Sequence, residues 1–231
     1  MEWALFIKRA DELTQLEEDH QCWPSVVSPD CAIPYPASHD LSFTRVYYGT
    51  EFCEAVIPST TELEECLFAS LERGLSFTFV TPHVTDTYLD TLGACFDILS
   101  RNLEEAEVVV NDWGVLRMLK KRHTRLTPIL GRVLNRSLID HRKSNVTCLM
   151  YFPFRRFLWN YGVKRVEFDC PAQPWGIDLE KSALGGSLYF PFDCGVINNC
   201  FPGQSEKKNF MNIPDSIINR VIHQASAQIQ E

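Results

Sequence analysis

The sequence lacks the signals of several common protein classes. It has no run of about 18 apolar residues, which a membrane-spanning helix requires. It also has no glycine-rich dinucleotide or phosphate loop, no Gly-x-Ser-x-Gly and no His-Glu-x-x-His, so those nucleotide, serine and zinc chemistries have no support. A net charge of -8 argues against duplex nucleic acid or an anionic membrane as the default partner.

The N-terminal residues and the cysteine count indicate the compartment. Charged residues at Lys8, Arg9, Asp11 and Glu12 interrupt the first apolar pattern, which is not typical of a signal peptide. We therefore expect a cytoplasmic protein. In that reducing compartment the 9 cysteines are not expected to form a disulfide framework, and an odd number cannot all pair within one chain. The thiols must be buried side chains, metal ligands or reactive groups.

What the sequence does contain is a repeated alternation of strand and helix patterns. In the clearest unit, Val108–Val110 is typical of a buried strand, Asn111-Asp112 offers a helix cap, and an apolar stripe follows from Val115 to Leu119. The predicted strands are 42–48, 75–80, 107–110, 126–130, 163–169 and 187–192. The predicted helices are 2–18, 59–73, 85–102, 113–119, 154–161 and a last helix that starts at about 212.

This alternation predicts an α/β fold with a parallel sheet and right-handed crossovers. We expect a TIM-barrel-like (β/α) barrel that is incomplete, because about six strands fall short of the eight that close such a barrel. A homo- or hetero-oligomer could then complete it. Residues 1–40 are predicted to be an N-terminal helix and a proline-rich lead-in, and residues 41–231 the barrel-like domain.

Four cysteines follow predicted strands, where parallel α/β folds carry their chemistry. They are Cys53, Cys170, Cys194 and Cys200. Four thiolates on one rim suit an iron–sulfur cluster or a zinc ion, although scattered thiols are also common in apolar cores. Within predicted helices or strands, Cys66, Cys95 and Cys148 are expected to be core residues. The positions of Cys22 and Cys31, in the proline-rich segment, leave their role open.

Several stretches together resemble the collagenase-like peptidases of unknown catalytic type. They are Val46–Cys53, Val108–Leu116 with its Asn-Asp-Trp-Gly corner, the Gly-Val-x-Arg-x-Glu stretch Gly162–Glu167, and the loop Asp193–Phe201. They cover most of residues 42–203, in the family's order. The family includes oxygen-independent ubiquinone-biosynthesis hydroxylase subunits and a ribosomal RNA hydroxylase. The resemblance implies a TIM-like barrel and a 4Fe-4S cluster with Cys53 and Cys200 as ligands, Cys170 and Cys194 taking the place of the family's downstream cysteine pair.

Other residues at strand ends are candidates for substrate binding. His83 follows the second predicted strand, Arg132 the fourth, and Glu167 lies in the fifth. Asn111 and Asp112 form the strand-to-helix corner, where Asp112 is expected to cap the helix. A histidine or carboxylate there could exchange protons, and an arginine could bind a carboxylate or phosphate. The catalytic residues themselves are not identified by the sequence.

These observations lead to one main hypothesis and two alternatives. The main one is an iron–sulfur barrel protein that acts in oxygen-independent oxidation or hydroxylation, as one subunit of a complex. The first alternative is a non-catalytic barrel subunit that binds a partner and has purely structural cysteines. The second is a peptidase or other hydrolase, as the family name implies.

Overall fold

The computed structural model describes residues 2–15, 43–136, 139–140, 146–147, 149, 151–169, 183–190 and 220–225. Its strands are β1 Glu2–Ile7, β2 Phe43–Gly49, β3 Ser76–Val80, β4 Glu107–Val110, β5 Thr127–Leu130, β6 Ile139–Asp140, β7 Val146–Thr147, β8 Arg165–Asp169, β9 Gly185–Phe190 and β10 Arg220–Ala225. Its α-helices are α1 Glu12–Gln15, α2 Thr60–Glu72, α3 Leu89–Asn102, α4 Trp113–Arg122, α5 Arg132–Arg136 and α6 Phe152–Asn160. Two 3-10 turns, Glu54–Val56 and Asp86–Tyr88, precede α2 and α3.

The main sheet curls into a barrel in the order β1-β10-β9-β8-β5-β4-β3-β2. Seven of these strands run parallel to their neighbours, from β1 through β2, β3, β4, β5 and β8 to β9. The prediction of an α/β fold with an incomplete parallel barrel is therefore confirmed. The remaining gap is filled by β10, which is antiparallel to both β1 and β9. Strands β6 and β7 form a separate two-stranded sheet.

The six predicted strands correspond to β2, β3, β4, β5, β8 and β9, with small shifts at their ends. The predicted helix at the N-terminus is wrong for residues 2–7, which form β1 and pair with β2. A short apolar run that is buried on both faces cannot be told from a buried helix by its periodicity. The last predicted helix is also wrong at 220–225, which is a strand. Residues 16–42 and 191–219, with the proline-rich segment, lie outside the described residues.

The helices begin where the sequence supplies a side-chain acceptor. At α2 the Ser59 hydroxyl accepts from the Glu62 amide, while the Glu62 carboxylate accepts from the Ser59 amide, which completes the expected capping box. At α4 the Asp112 carboxylate accepts from the amides of Gly114 and Val115 at 2.6 and 3.1 Å. The prediction that Asp112 caps this helix is confirmed.

The core has two parts, one on each face of the curled sheet. The larger part lies between the strands and the helices, and it includes the buried thiols of Cys66 and Cys95. The smaller part fills the inside of the barrel and consists of Ala4, Phe6, Tyr47, Val80, Val109, Ile129 and Tyr189. None of the helices in the described part of the chain has the length and hydrophobicity of a transmembrane helix.

Gly49 provides a test of the packing between β2 and β3. Its φ is +128°, and a Cβ atom there would lie 2.2 Å from the carbonyl oxygen of Val80. We expect Gly49→Ala to lower the free energy of unfolding by roughly 2–4 kcal/mol, because the strained backbone and the clash add. Chemical denaturation would measure this. Gly93→Ala is the matched control, since a Cβ on that α3 residue meets nothing within 4 Å and alanine favours helix. Equal free energies of unfolding for Gly49→Ala and Gly93→Ala would contradict the close contact between Gly49 and the Val80 carbonyl.

Candidate functional site

Polar side chains are buried at the carboxyl ends of the barrel strands. Their residues are at most 4% exposed, and they are Glu51, Thr81, Asn111, Arg132, Asn135, Glu167 and Ser187. Buried polar groups cost free energy unless they are hydrogen-bonded, so such a cluster has to be explained by its contacts or by a ligand. In parallel barrels this end carries the active site. We define these residues, together with Tyr189, as the carboxyl-end cluster.

A buried ion pair lies at the centre of the carboxyl-end cluster. Arg132 donates from Nε and Nη2 to the two carboxylate oxygens of Glu51, at 2.8 and 2.6 Å. Both side chains are almost completely buried, at 4% and 1% exposure. The same guanidinium lies 4.0 Å from the centre of the Tyr189 ring, where a cation is attracted to the aromatic face. The predicted substrate-binding residue Arg132 is thus held by an internal carboxylate.

Asn111 connects the ends of three neighbouring strands. Its side-chain amide donates to the carbonyl oxygen of Thr81 at 2.9 Å, and its Oδ1 accepts from the amide of Val133 at 3.2 Å. Gly131 leaves the space for this arrangement, because a Cβ at that position would lie 2.1 Å from Asn111 Oδ1. Asn111 therefore has a structural role at this rim, next to the Arg132 pair.

Glu167 is the least satisfied member of the carboxyl-end cluster. Its side chain is fully buried, and neither carboxylate oxygen has a hydrogen-bond partner among the described residues. Ser187 faces it across the β8–β9 ladder, and Tyr189 follows two residues along the same face of β9. The hydroxyls of these two residues also lack hydrogen-bond partners in the described part of the chain. Three unpaired polar groups thus share one region of the barrel interior.

The surroundings of Glu167 favour its neutral form. Burial, followed by the nearby Glu51 carboxylate, raises the pKa of Glu167 to about 8. The positive charge of Arg165, the Tyr189 hydroxyl and Arg132 oppose this shift only in part. The Tyr189 hydroxyl is close enough to favour the ionised carboxylate, but the two groups do not meet the geometry of a hydrogen bond. Burial likewise raises the pKa of Tyr189 well above its ordinary value.

Asn135 extends the carboxyl-end cluster from α5 towards β8. Its side-chain amide donates to the main-chain carbonyl oxygen of Glu167 at 3.0 Å, which fixes the backbone that carries the buried carboxyl. The Oδ1 atom of Asn135 is buried and has no hydrogen-bond partner among the residues that the structure describes. Sequence reasoning missed Asn135, Ser187 and Tyr189. The inward phase of β9 could have identified the last two, because residues alternate between the two faces of a strand.

The other predicted substrate-binding residues lie outside the buried cluster. The His83 side chain is 75% exposed, and its Nε2 lies 3.4 Å from Asp112 Oδ2. Asp112 caps α4 and faces the same outer rim. The structure therefore separates the candidates into a buried group, Asn111, Arg132 and Glu167, and a surface group, His83 and Asp112.

The cysteines are only partly described. Cys53 is a free, half-buried thiol that follows β2, two residues after Glu51. Burial raises the pKa of Cys66 to about 12 and of Cys95 to about 11, and their predicted core positions are confirmed. The other thiols, Cys22, Cys31, Cys148, Cys170, Cys194 and Cys200, lie outside the described residues. Among the residues that are described, no three His, Cys, Asp or Glu side chains converge as they would around a metal ion.

The amino end of the barrel carries a second charged network. Arg165 donates to Glu107 at 2.8 Å and to the Tyr47 hydroxyl at 3.1 Å, and Arg45 donates to the same carboxylate at 2.8 Å. Arg45 also binds Glu2 at 2.9 Å. A cavity of about 540 Å³ opens beside this network. The charged groups of this network bind one another, in contrast to the unpaired groups around Glu167.

The raised pKa of Glu167 predicts a pH-dependent stability. Between pH 4.5, the ordinary pKa of this carboxyl, and about pH 8, its pKa in the native protein, the native state holds a proton that the unfolded state has lost. The contribution of this group to the free energy of unfolding is thus fully present below about pH 4.5 and is lost as the pH rises through 8. We expect Glu167→Gln to gain stability relative to the wild type over this interval, at up to about 1.4 kcal/mol per pH unit.

Denaturation of both proteins from about pH 5 to pH 9 would measure this difference. Glu105→Gln is the control, because it removes one carboxylate at an exposed position and leaves the barrel interior unchanged. Parallel stability curves for the wild type and Glu167→Gln would show that Glu167 is ionised in the native protein.

The chain matches no protein-family model, no curated protein and no solved structure. Its resemblance to the collagenase-like peptidases stays a prediction from the motifs in residues 42–203.

Proposed function

We propose that the protein is a barrel enzyme that binds a small polar substrate at the carboxyl ends of its strands. The observation that carries this proposal is the unpaired, fully buried carboxyl of Glu167 beside two unpaired hydroxyls. Each unsatisfied buried group costs about 1–3 kcal/mol, and a polar ligand or ordered water in this region would recover that free energy. Strained or unsatisfied groups of this kind are typical of functional sites.

In this proposal Glu167 transfers a proton to or from the substrate. A carboxyl with a pKa of about 8 is mainly protonated at neutral pH, so it can donate a proton and recover it within one cycle. The Ser187 and Tyr189 hydroxyls, each a donor and an acceptor, would orient the substrate beside it. Arg132 is a positioning residue, since its charge is bound to Glu51 while its guanidinium packs on the Tyr189 ring.

The proposed reaction is an oxygen-independent oxidation or hydroxylation, and it rests on the sequence resemblance. Cys53, Cys170, Cys194 and Cys200 would hold an iron–sulfur cluster at the same rim. The state of Cys53 supports this assignment, because its thiol is free and half-buried at a strand end, unlike the core thiols of Cys66 and Cys95. A bound 4Fe-4S cluster would supply single-electron transfer from the substrate to an external electron acceptor, which would replace molecular oxygen as the oxidant.

The cluster assignment can be tested by anaerobic reconstitution. We expect the wild type to bind iron and acid-labile sulfide with visible absorbance, and Cys53→Ala to lose at least about half of both because a ligand is removed. Cys66→Ala is the control, since it removes a core thiol and is expected to lower stability without lowering iron content. A colourless, iron-free wild type after reconstitution would overturn the assignment. Equal iron loss in both variants would do the same.

The role of Glu167 can be tested with a library of small polar molecules in a thermal-shift assay. We expect compounds that stabilise the wild type to bind Glu167→Gln at least about tenfold more weakly, which is about 1.4 kcal/mol. Glu105→Gln, at an exposed position, is expected to bind them as the wild type does. Weaker binding of the same compounds to Arg132→Met would locate them at the carboxyl-end cluster. Undiminished binding to Glu167→Gln would place the site elsewhere.

A non-catalytic, partner-binding subunit is the second candidate. Exposed aromatic side chains favour it, because Phe152 is 56%, Trp159 39% and Trp113 38% exposed. Large exposed aromatic groups mark protein interfaces more often than free surfaces. The orphaned carboxyl of Glu167 is the reason to prefer an enzyme, since a purely structural subunit gains nothing from it.

A further inference from the structure

The outer surfaces of α4 and α6 carry basic and aromatic residues and no acidic ones. In the sequences of these two helices there is no Asp or Glu, although the whole chain has a net charge of -8. We define the basic aromatic face by three exposed residues on each helix, at helical spacing: Trp113, Arg117 and Lys120 on α4, and Phe152, Arg156 and Trp159 on α6. Two groups of ring contacts occur here: Trp113 on α4 contacts Phe154 and Phe157 on α6, and Phe152 contacts Trp159 within α6.

The opposite pattern occurs on α2. Its sequence contains four glutamates and no Lys or Arg. Glu65, Phe68 and Glu72 are exposed and lie at helical spacing on one side, and we define them as the acidic stripe. Phe68 is 45% exposed and the adjacent Leu71 is 38% exposed. The acidic stripe thus combines carboxylates with apolar surface, as the basic aromatic face combines cations with rings.

We propose that these two surfaces bind each other between copies of the chain, the basic aromatic face of one protomer docking on the acidic stripe of the next. The two surfaces are complementary in charge and in arrangement. A ring lies between two carboxylates on α2, while a cation lies between two rings on α6. Complementary charge patterns determine register and speed association, and aromatic and arginine side chains supply most of the affinity at interfaces.

A second copy fits the basic aromatic face better than a polyanion does. The net charge of -8 repels a polyanion and a second copy alike at long range, but the acidic stripe also offers the exposed apolar surface of Phe68 and Leu71 to the rings of the basic aromatic face. The contact is head-to-tail, because it joins two different surfaces, and such contacts form rings or open chains. It is also separate from barrel closure, which β10 supplies within the chain. The proposal does not depend on the enzyme activity, so either can fail alone.

Sedimentation velocity of the full chain, from about 1 to about 100 µM in low salt, tests this contact. We expect the weight-average mass of the wild type to rise with concentration and to fall at about 0.5 M salt, where charges more than about 4 Å apart are screened. Two charge-reversal variants address the two surfaces: Arg117→Glu with Arg156→Glu on the basic aromatic face, and Glu65→Arg with Glu72→Arg on the acidic stripe. We expect each variant alone to be a monomer.

An equimolar mixture of the two variants is the decisive arm. Each variant keeps one native surface, so the native contact forms only between the two different proteins, and we expect the mixture to associate. The control is Lys8→Glu with Arg101→Glu, which reverses two exposed charges elsewhere and is expected to associate as the wild type does. Circular dichroism would confirm that every variant is folded.

Three results would overturn the proposal. The first is a wild type that stays monomeric at about 100 µM in low salt. The second is association that survives both charge reversals in folded proteins. The third is a monomeric wild type that binds phosphatidylserine vesicles or poly(U) through the basic aromatic face, since that face would then serve a membrane or a nucleic acid.

Discussion

The buried pair of Glu51 and Arg132 is the interaction on which the carboxyl end of the barrel depends. It joins the loop after β2 to the start of α5, across 81 residues of chain, and it places a guanidinium on the Tyr189 ring of β9. Removing one partner of a buried ion pair leaves an uncompensated charge, at a cost of about 3–5 kcal/mol. The pair therefore fixes the positions of its two side chains in the carboxyl-end cluster. The negative charge of Glu51 also favours the neutral form of the neighbouring Glu167.

The two ends of the barrel illustrate two uses of buried charge. At the amino end, Arg45 and Arg165 share the Glu107 carboxylate, so that charges of opposite sign satisfy one another and hold the strands in register. At the carboxyl end, Arg132 binds Glu51, and the Glu167 carboxyl makes no hydrogen bond within the described part of the chain. The first arrangement stabilises the fold, while the second costs stability, as unsatisfied groups at functional sites commonly do.

Most strands and helices followed from local patterns, whereas the carboxyl-end cluster did not. The Ser59–Glu62 capping box and the valines of β4 each act over a few residues, so the sequence was sufficient to predict them. The strand β1 was missed because its neighbour β2 begins 36 residues after β1 ends, and pairing over such distances leaves no local signal. For the same reason Glu167 was a candidate from its position at a strand end, but its burial and its neighbours on β9 came only from the folded arrangement.

Asn111 and Gly131 illustrate how close packing limits variation in this barrel. The amide of Asn111 occupies the volume that a side chain at Gly131 would need, and it is the same amide that holds the ends of β3 and β5 together. A larger residue at position 131 is therefore acceptable only when position 111 also changes, and that change gives up the contacts to Thr81 and Val133. Substitutions at positions 111 and 131 are therefore coupled. In related sequences the two residues are expected to change together or to be kept together.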